Sequence, residues 1–388
     1  MLRFFDQVLD APSRLREGTY RAATLDATWR RFAPAAKPAG ITRIADHTGL
    51  DTLGIPVFAA IRPLGKSLST QQGKGLSPAA ARISALMESL ETFSAENLSL
   101  PVVRGSYRSL AKARNVVDVR VLPRPRKKLD LAASWRWVEG FDLVAAAPIL
   151  VPEQAVSLDT TFTSPPIFDM SSNGLASGNV LVEAVVHGLC EVLERDAEAA
   201  WRRSGGDRRL VLDTITDARC RDLVDRITST GARIFVWDLA SDTNITAIGC
   251  AIMENPHEVS WRPLGMYQGF GAHWLPEIAI SRAITEAAQT RLTYIAGGRD
   301  DFFPFDYERA TDRELLVDIW ERLAQPTDEP VLYDDLPRLA VKGLGDALAQ
   351  IVAPLDQVIV VDLTHPTIKV PTVKVIVPGR ATDVEALG

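Results

Sequence analysis

The sequence predicts an α+β fold, with helices packed on largely antiparallel sheet. Two observations carry that reading. The strand-like runs come in pairs, ARIFVWDLA before ITAIGCAIM and QVIVVDLT before VPTVKVIVPG, as antiparallel neighbours do. Long helical patterns are interleaved with these pairs, whereas a doubly wound parallel fold would alternate single strands with helices. The length of 388 residues allows two or three domains or one large one. We read residues 1–50 as an N-terminal extension and residues 51–388 as the main domain.

In chain order, residues 1–50 are mixed and Arg-rich, with a Pro/Ala stretch (FAPAAKPAG) and some helix. GIPVFAAIRP is a short apolar run bounded by Gly and Pro, which suits a strand. Ser77 and Pro78 open a helix, because Ser caps an N-terminus and Pro fits the first helical position. Short strand-like pieces follow between about residues 101 and 170, with LPRPRKKLD as a loop. The second long helix lies in SNGLASGNVLVEAVVHGLCEVLERDA, and the third begins at Pro276 and Glu277.

Composition narrows the function. A net charge of −6 argues against a nucleic-acid binder that works by electrostatics. The three cysteines, Cys190, Cys220 and Cys250, form no C-x-x-C pair, so neither a structural zinc site nor a disulfide framework is expected. The N-terminus MLRFFDQVLD does not read as a signal peptide, and no apolar run is long enough for a membrane span. A soluble cytoplasmic protein is the expectation.

The central helix carries the most informative pattern. Glu183, His187, Glu191 and Glu194 fall within about 80° of one another at roughly 100° per residue, with Val185, Leu189, Val192 and Leu193 on the far side. Ser84, Glu88 and Glu91 repeat the spacing i, i+4, i+7 in the first helix, as do Arg282, Glu286 and Gln289 in the third. One explanation is that each stripe is the solvated face of an amphipathic helix. Against it, the Glu183 stripe has no Lys, and like charges at this spacing repel. The other explanation is a cation among the carboxylates: Mg²⁺ takes oxygen ligands from a few carboxylates and substrate phosphates. Spacing leaves both open.

Two Gly-rich stretches stand before helices, where phosphate could meet backbone N–H groups. They are Gln72-Gly73-Lys74-Gly75 and the run from Ser171 through Ser172, Asn173 and Gly174 to Asn179; ordinary turns would look the same. Leu64-Gly65-Lys66-Ser67 resembles the end of a Walker A loop, but position 60 is Ala where that loop needs Gly. No G-x-G-x-x-G, H-E-x-x-H or G-x-S-x-G motif occurs. Cys190 reads as a small buried apolar residue rather than a catalytic thiol.

The pieces GKG with SALMESLE, SNGLASGNVLVEAVVHGLCEVLERDA, RAITEAAQTRL with GGRDD, and VPTVKVIVPG resemble the YcaO family, in its order and over roughly residues 45–380. The resemblance implies a YcaO-like fold and an enzyme that uses ATP and Mg²⁺ to phosphorylate the oxygen of a peptide backbone amide. A nucleophile then displaces phosphate: a neighbouring Cys, Ser or Thr gives an azoline, sulfide a thioamide, an amine an amidine. By motif match, Glu88, Glu91, Glu183, Glu191, Glu194 and Glu286 would hold metal. Ser84, Ser172, Asn173 and Gln289, with Lys74, would contact nucleotide. Arg195 and Arg282 would face phosphate in a catalytic role, and His187 has no assigned role. The chain ends PGRATDVEALG and lacks the P-x-P-x-P tail of many azoline-forming members. Stand-alone members of this size are often paired with a TfuA-like protein, which points to thioamide formation with a sulfur donor in a peptide or protein substrate. Azoline formation, amidine formation, an accessory role in sulfur modification of a ribosomal protein, and a non-enzymatic peptide-binding scaffold are the alternatives. The resemblance also implies a homodimer.

Overall fold

The computed structural model describes residues 1–16, 18–123, 128–161, 166–258 and 264–380, so the chain end after residue 380 lies outside the described residues. Among these, strands and helices are arranged as an α+β fold whose named strand pairs are all antiparallel.

The chain builds the same unit twice. Arg43–Asp46, Val57–Ile61 and Thr70–Lys74 form a three-stranded meander, and the first long helix, Pro78–Glu96, packs across it. Arg233–Asp238, Thr246–Met253 and Met266–His273 form a second meander, and the third long helix, Pro276–Ala296, packs across that. Both helices open on Pro at the first position, where a missing N–H costs nothing. Ser77 caps the first through its hydroxyl, which accepts from Ala80 N at 3.2 Å. Gly297, at φ 57°, ends the third in the left-handed conformation.

Glycine sets how closely strand and helix approach. A Cβ on Gly73 would lie 1.9 Å from Ala85 N, and one on Gly271 would lie 2.2 Å from Ala279 O. Each glycine stands five residues before its helix-opening proline. Gln72-Gly73-Lys74-Gly75 is therefore largely strand rather than the loop expected from its glycines, and Gln72, Lys74 and Gly75 still line the cavity described below. Residues 72–74 belong to the strand Thr70–Lys74, and the glycines serve packing.

The central helix, Leu181–Ser204, lies between these units and a six-stranded sheet. That sheet runs in the order Ala147–Pro152, Ser134–Asp142, Ile359–Asp362, Thr372–Ile376 and Leu175–Ser177, with Val103–Ser106 also paired to Ser134–Asp142. The apolar face of the helix, with Val185, Leu189, Val192 and Leu193, is buried in the largest core. The first 50 residues are integrated into this architecture. Phe4 and Leu9 are buried in that core, and Arg43–Asp46 is a strand of the first meander, so the sheet runs through the boundary expected at residue 50. No described helix is long and apolar enough to cross a membrane.

Candidate functional site

The repeated unit places side chains in equivalent positions. Ser84, Glu88 and Glu91 lie six, ten and thirteen residues beyond Pro78; Arg282, Glu286 and Gln289 lie at the same offsets beyond Pro276. Both stripes open onto a cavity of about 500 Å³, and the central helix supplies a third wall with Glu183, His187, Glu191, Glu194 and Arg195. Lys74 and Ser172 also line it. The stripe of the central helix is thus not a solvated face, since Glu183 and Glu194 are only 3% and 6% exposed; Glu91, Glu191 and Glu286 are half-buried and Glu88 is exposed, all of them lining the cavity. Asn173 is the one expected site residue placed elsewhere. It lines a separate small cavity with Lys374, because the turn at Gly174 (φ 76°) carries the chain directly into the strand that pairs with Thr372–Lys374.

Charge in the cavity is unevenly compensated. Lys74 Nζ donates to Glu286 Oε2 at 2.5 Å, and Arg195 lies 3.4 Å from the other oxygen. Burial alone would raise the Glu286 carboxyl, but Lys74 and Arg195 outweigh it and hold the group at about 2. Glu191 and Glu194 are pushed up to about 7, by burial above all and by neighbouring carboxylates, although Arg195 opposes this. Glu91 is pushed well above the carboxylate range by burial, Glu88 and Glu191. Glu88 is raised by loss of hydration between the cavity walls, in spite of Lys74 and Arg299, although its side chain remains exposed.

This donor set is short of cations. Among the described residues, no three His, Cys, Asp or Glu side chains gather closely enough to hold a metal by themselves. Mg²⁺ takes only one or two carboxylates and completes its shell with water and substrate phosphates. Carboxylates spread around a roomy cavity, with Lys74, Arg195 and Arg282 among them, therefore suit a metal–polyphosphate complex better than a bare ion.

Glu183 differs from the other carboxylates. Its oxygens accept from Ala22 N at 2.9 Å, Arg21 Nη1 at 3.2 Å and Asn179 Nδ2 at 3.1 Å. It fastens the N-terminal segment to the cavity. Asn179 continues the link, since its Oδ1 accepts from Thr28 at 2.8 Å and its backbone carbonyl accepts from Arg31. Arg21, Thr28, Asn179 and Arg299 all line the cavity and were not singled out in the sequence. Asn179, four residues before Glu183 on the same motif, offered a signal; Arg21, far off in sequence, offered none. His187 is held neutral, its pKa pushed well below the usual range by burial and by Arg282, Arg21 and Lys74. Cys190 is buried, and its thiol is pushed up to about 12 by burial, which fits an apolar role.

Comparison with known proteins shows the family. The family model described as YcaO cyclodehydratase, ATP- and Mg²⁺-binding, matches residues 72–381. An uncharacterised protein in the tfuA 3′ region of Rhizobium leguminosarum bv. trifolii is 36% identical over 377 residues, covering 94% of this chain and 89% of that protein. Among solved structures, YcaO from Methanopyrus kandleri bound with AMPPCP and Mg²⁺ is similar with a TM-score of 0.76 at 26% identity, covering 96% of this chain and 95% of that one. A heterocyclase in complex with substrate and cofactor has a TM-score of 0.79 at 22% identity, over 97% of this chain and 55% of that one, which shows shared fold.

Proposed function

The chain belongs to the YcaO family of ATP- and Mg²⁺-dependent peptide-modifying enzymes, and from that membership we propose that it converts a backbone amide of a ribosomally made peptide or protein into a thioamide. The observation that carries the chemistry is the cavity itself, where carboxylates of three helices face Lys74, Arg195 and Arg282. The observation that favours sulfur as the nucleophile is the relative encoded in the tfuA 3′ region. A TfuA-like partner and a sulfur donor belong to this reading.

Bound Mg²⁺ would neutralise and orient the phosphates of ATP. Glu88, Glu91, Glu191, Glu194 and Glu286 are the residues that would hold it. Ser84, Ser172 and Gln289 would position the nucleotide. Arg195 and Arg282 would stabilise charge on the phosphoryl group as it passes to the amide oxygen. Phosphorylation turns that oxygen into a good leaving group. Hydrosulfide then forms the carbon–sulfur bond, the carbon–oxygen bond breaks, the oxygen leaves with phosphate, and the sulfur-borne proton passes to nitrogen or phosphate.

A second reading, azoline formation by a neighbouring Cys, Ser or Thr, is favoured by the family's description as cyclodehydratase. Mass spectrometry of a co-expressed substrate separates the two. Exchange of oxygen for sulfur raises the mass, whereas cyclodehydration lowers it by one water. We expect the increase, dependent on ATP, Mg²⁺ and the TfuA-like partner. A loss of water would move the assignment to the second reading, and an unmodified substrate with no phosphate release would overturn both.

A further inference from the structure

Phe303 and Phe305 are 56% and 58% exposed, and their rings stack on each other 5.8 Å apart at 7°. Apolar side chains exposed singly need no explanation, but adjoining ones that form a patch mark a contact site. Their setting says what the contact is for. Arg299 and Phe302, immediately before the pair, line the cavity. Phe302 packs on Tyr294 at 4.7 Å, so the cavity wall continues outward as an aromatic surface.

The pair is displayed on fixed backbone. Phe303 N donates to Asp306 Oδ2 at 2.8 Å, and Pro304 opens the short helix Pro304–Ala310. On the cavity side, Asp300 Oδ2 accepts from Ser69 N at 3.1 Å. Rings presented this way lose little freedom when something binds them. The chain on either side of them is acidic: residues 299–309 hold Asp300, Asp301, Asp306 and Glu308 against Arg299 and Arg309, and Arg299 already bonds Asp301.

We propose that the stacked Phe303–Phe305 pair is the docking platform for the substrate peptide, selecting an extended segment with an aromatic or bulky apolar side chain near the modified amide and basic rather than acidic flanks. The proposal rests on the reading of the chain as a peptide-modifying enzyme and names the substrate class that reading leaves open. The peptide is chosen over a second copy of the chain because the platform is continuous with the cavity that the peptide must enter. Aromatic anchors on rigid backbone also concentrate binding energy in few residues, which suits an enzyme that must release its product.

The test uses the full chain and fluorescein-labelled peptides of sequence Gly-Lys-Phe-Gly-Phe-Lys-Gly, with companions carrying Ala for Phe or Glu for Lys. Fluorescence anisotropy should show the Phe/Lys peptide bound at least about tenfold more tightly than either companion. The double variant Phe303→Ser/Phe305→Ser should lose that preference, and Phe303→Tyr should keep it. The rise in Tm with Mg-AMPPCP should be the same in all three proteins, since neither ring lines the cavity. Equal affinity for the three peptides, no binding of the Phe/Lys peptide, or unchanged affinity in the double variant would overturn the platform. So would a drop from dimer to monomer in the double variant with peptide affinity unchanged, which would assign the rings to a copy interface. Absence of any Mg-AMPPCP effect would count against the proposed function, while the peptide preference would still decide the platform.

Discussion

Lys74 and Glu286 join the two halves of the repeated unit, a strand of the first to the helix of the second, through one ion pair of 2.5 Å across the cavity. Lys74 occupies the role of a cation beside a carboxylate expected to meet metal. Because the folded Glu286 carboxyl lies near 2, below its ordinary 4.5, its contribution to stability is present above pH 4.5 and lost as pH falls through 2. Lys74→Met should therefore destabilise the nucleotide-free protein by about 1–3 kcal/mol at neutral pH. It should also move the onset of acid unfolding to higher pH. Chemical denaturation across pH 3–7 checks this, and an unchanged acid limb would show that Arg195 alone holds Glu286.

Glu191 and Glu194 should give the opposite pH dependence. Their carboxyls stand at about 7 in the fold against an ordinary 4.5. The folded protein thus keeps protons that the unfolded chain releases. Their stabilising effect is complete below 4.5 and disappears as pH rises through 7. Tm of the nucleotide-free protein should fall from pH 5 to pH 8, and Mg-AMPPCP should raise Tm more at pH 8 than at pH 5. Glu191→Gln and Glu194→Gln should flatten the nucleotide-free profile and abolish ATP turnover. An equal ligand effect at both pH values would mean that the cation does not meet these carboxylates.

Glu183 should behave as a fastener more than as a metal ligand, since protein donors already occupy its oxygens. In Glu183→Ala, amide hydrogen exchange should accelerate around residues 19–31, where Ala22, Thr28 and Arg31 attach. Mg²⁺ affinity in the presence of AMPPCP should change less than in Glu191→Gln. Unaltered exchange with a large loss of Mg²⁺ binding would restore the ligand role that the motif match implies.

The polar stripes were legible because helical spacing writes them into sequence: i, i+4, i+7 places side chains on one face whatever the tertiary context. That spacing could not say which way the face pointed. Glu194 is buried at the cavity wall, where it accepts from Ala272 N at 2.8 Å, and the second meander brings that donor there. Arg21 was invisible for the same reason, because its contact with Glu183 depends on how the chain closes rather than on any local pattern. Lys74 stands out in the sequence because the glycines beside it look like a phosphate loop, whereas in the fold they serve strand–helix packing. The duplication of the unit is equally hard to read from the sequence. The identities at matching offsets are scattered, Gly73 with Gly271, Pro78 with Pro276, Ala81 with Ala279, Ala85 with Ala283, Glu88 with Glu286 and Thr92 with Thr290, and the positions between them differ.

Those repeated glycines give the sharpest test of the packing. At Gly73 an added Cβ would stand 1.9 Å from Ala85 N and 2.5 Å from Ala81 O; at Gly271 it would stand 2.2 Å from Ala279 O and 2.8 Å from Ala283 N. All four neighbours are helix backbone, which cannot swing aside as a side chain can, so the helix itself must move off the strand. Gly73→Ala and Gly271→Ala should each cost about 1–3 kcal/mol or more. Each should also weaken nucleotide binding, because the displaced helix carries Glu88 and Glu91 in one case and Arg282 and Glu286 in the other. Gly49→Ala is the control: its Cβ would meet nothing within 4 Å, and stability should stay within about 0.5 kcal/mol of the parent. Denaturant midpoints and the Mg-AMPPCP effect on Tm, measured on all three variants, check both expectations. Wild-type stability in Gly73→Ala or Gly271→Ala would mean that the close strand–helix approach does not hold the two carboxylate walls in place.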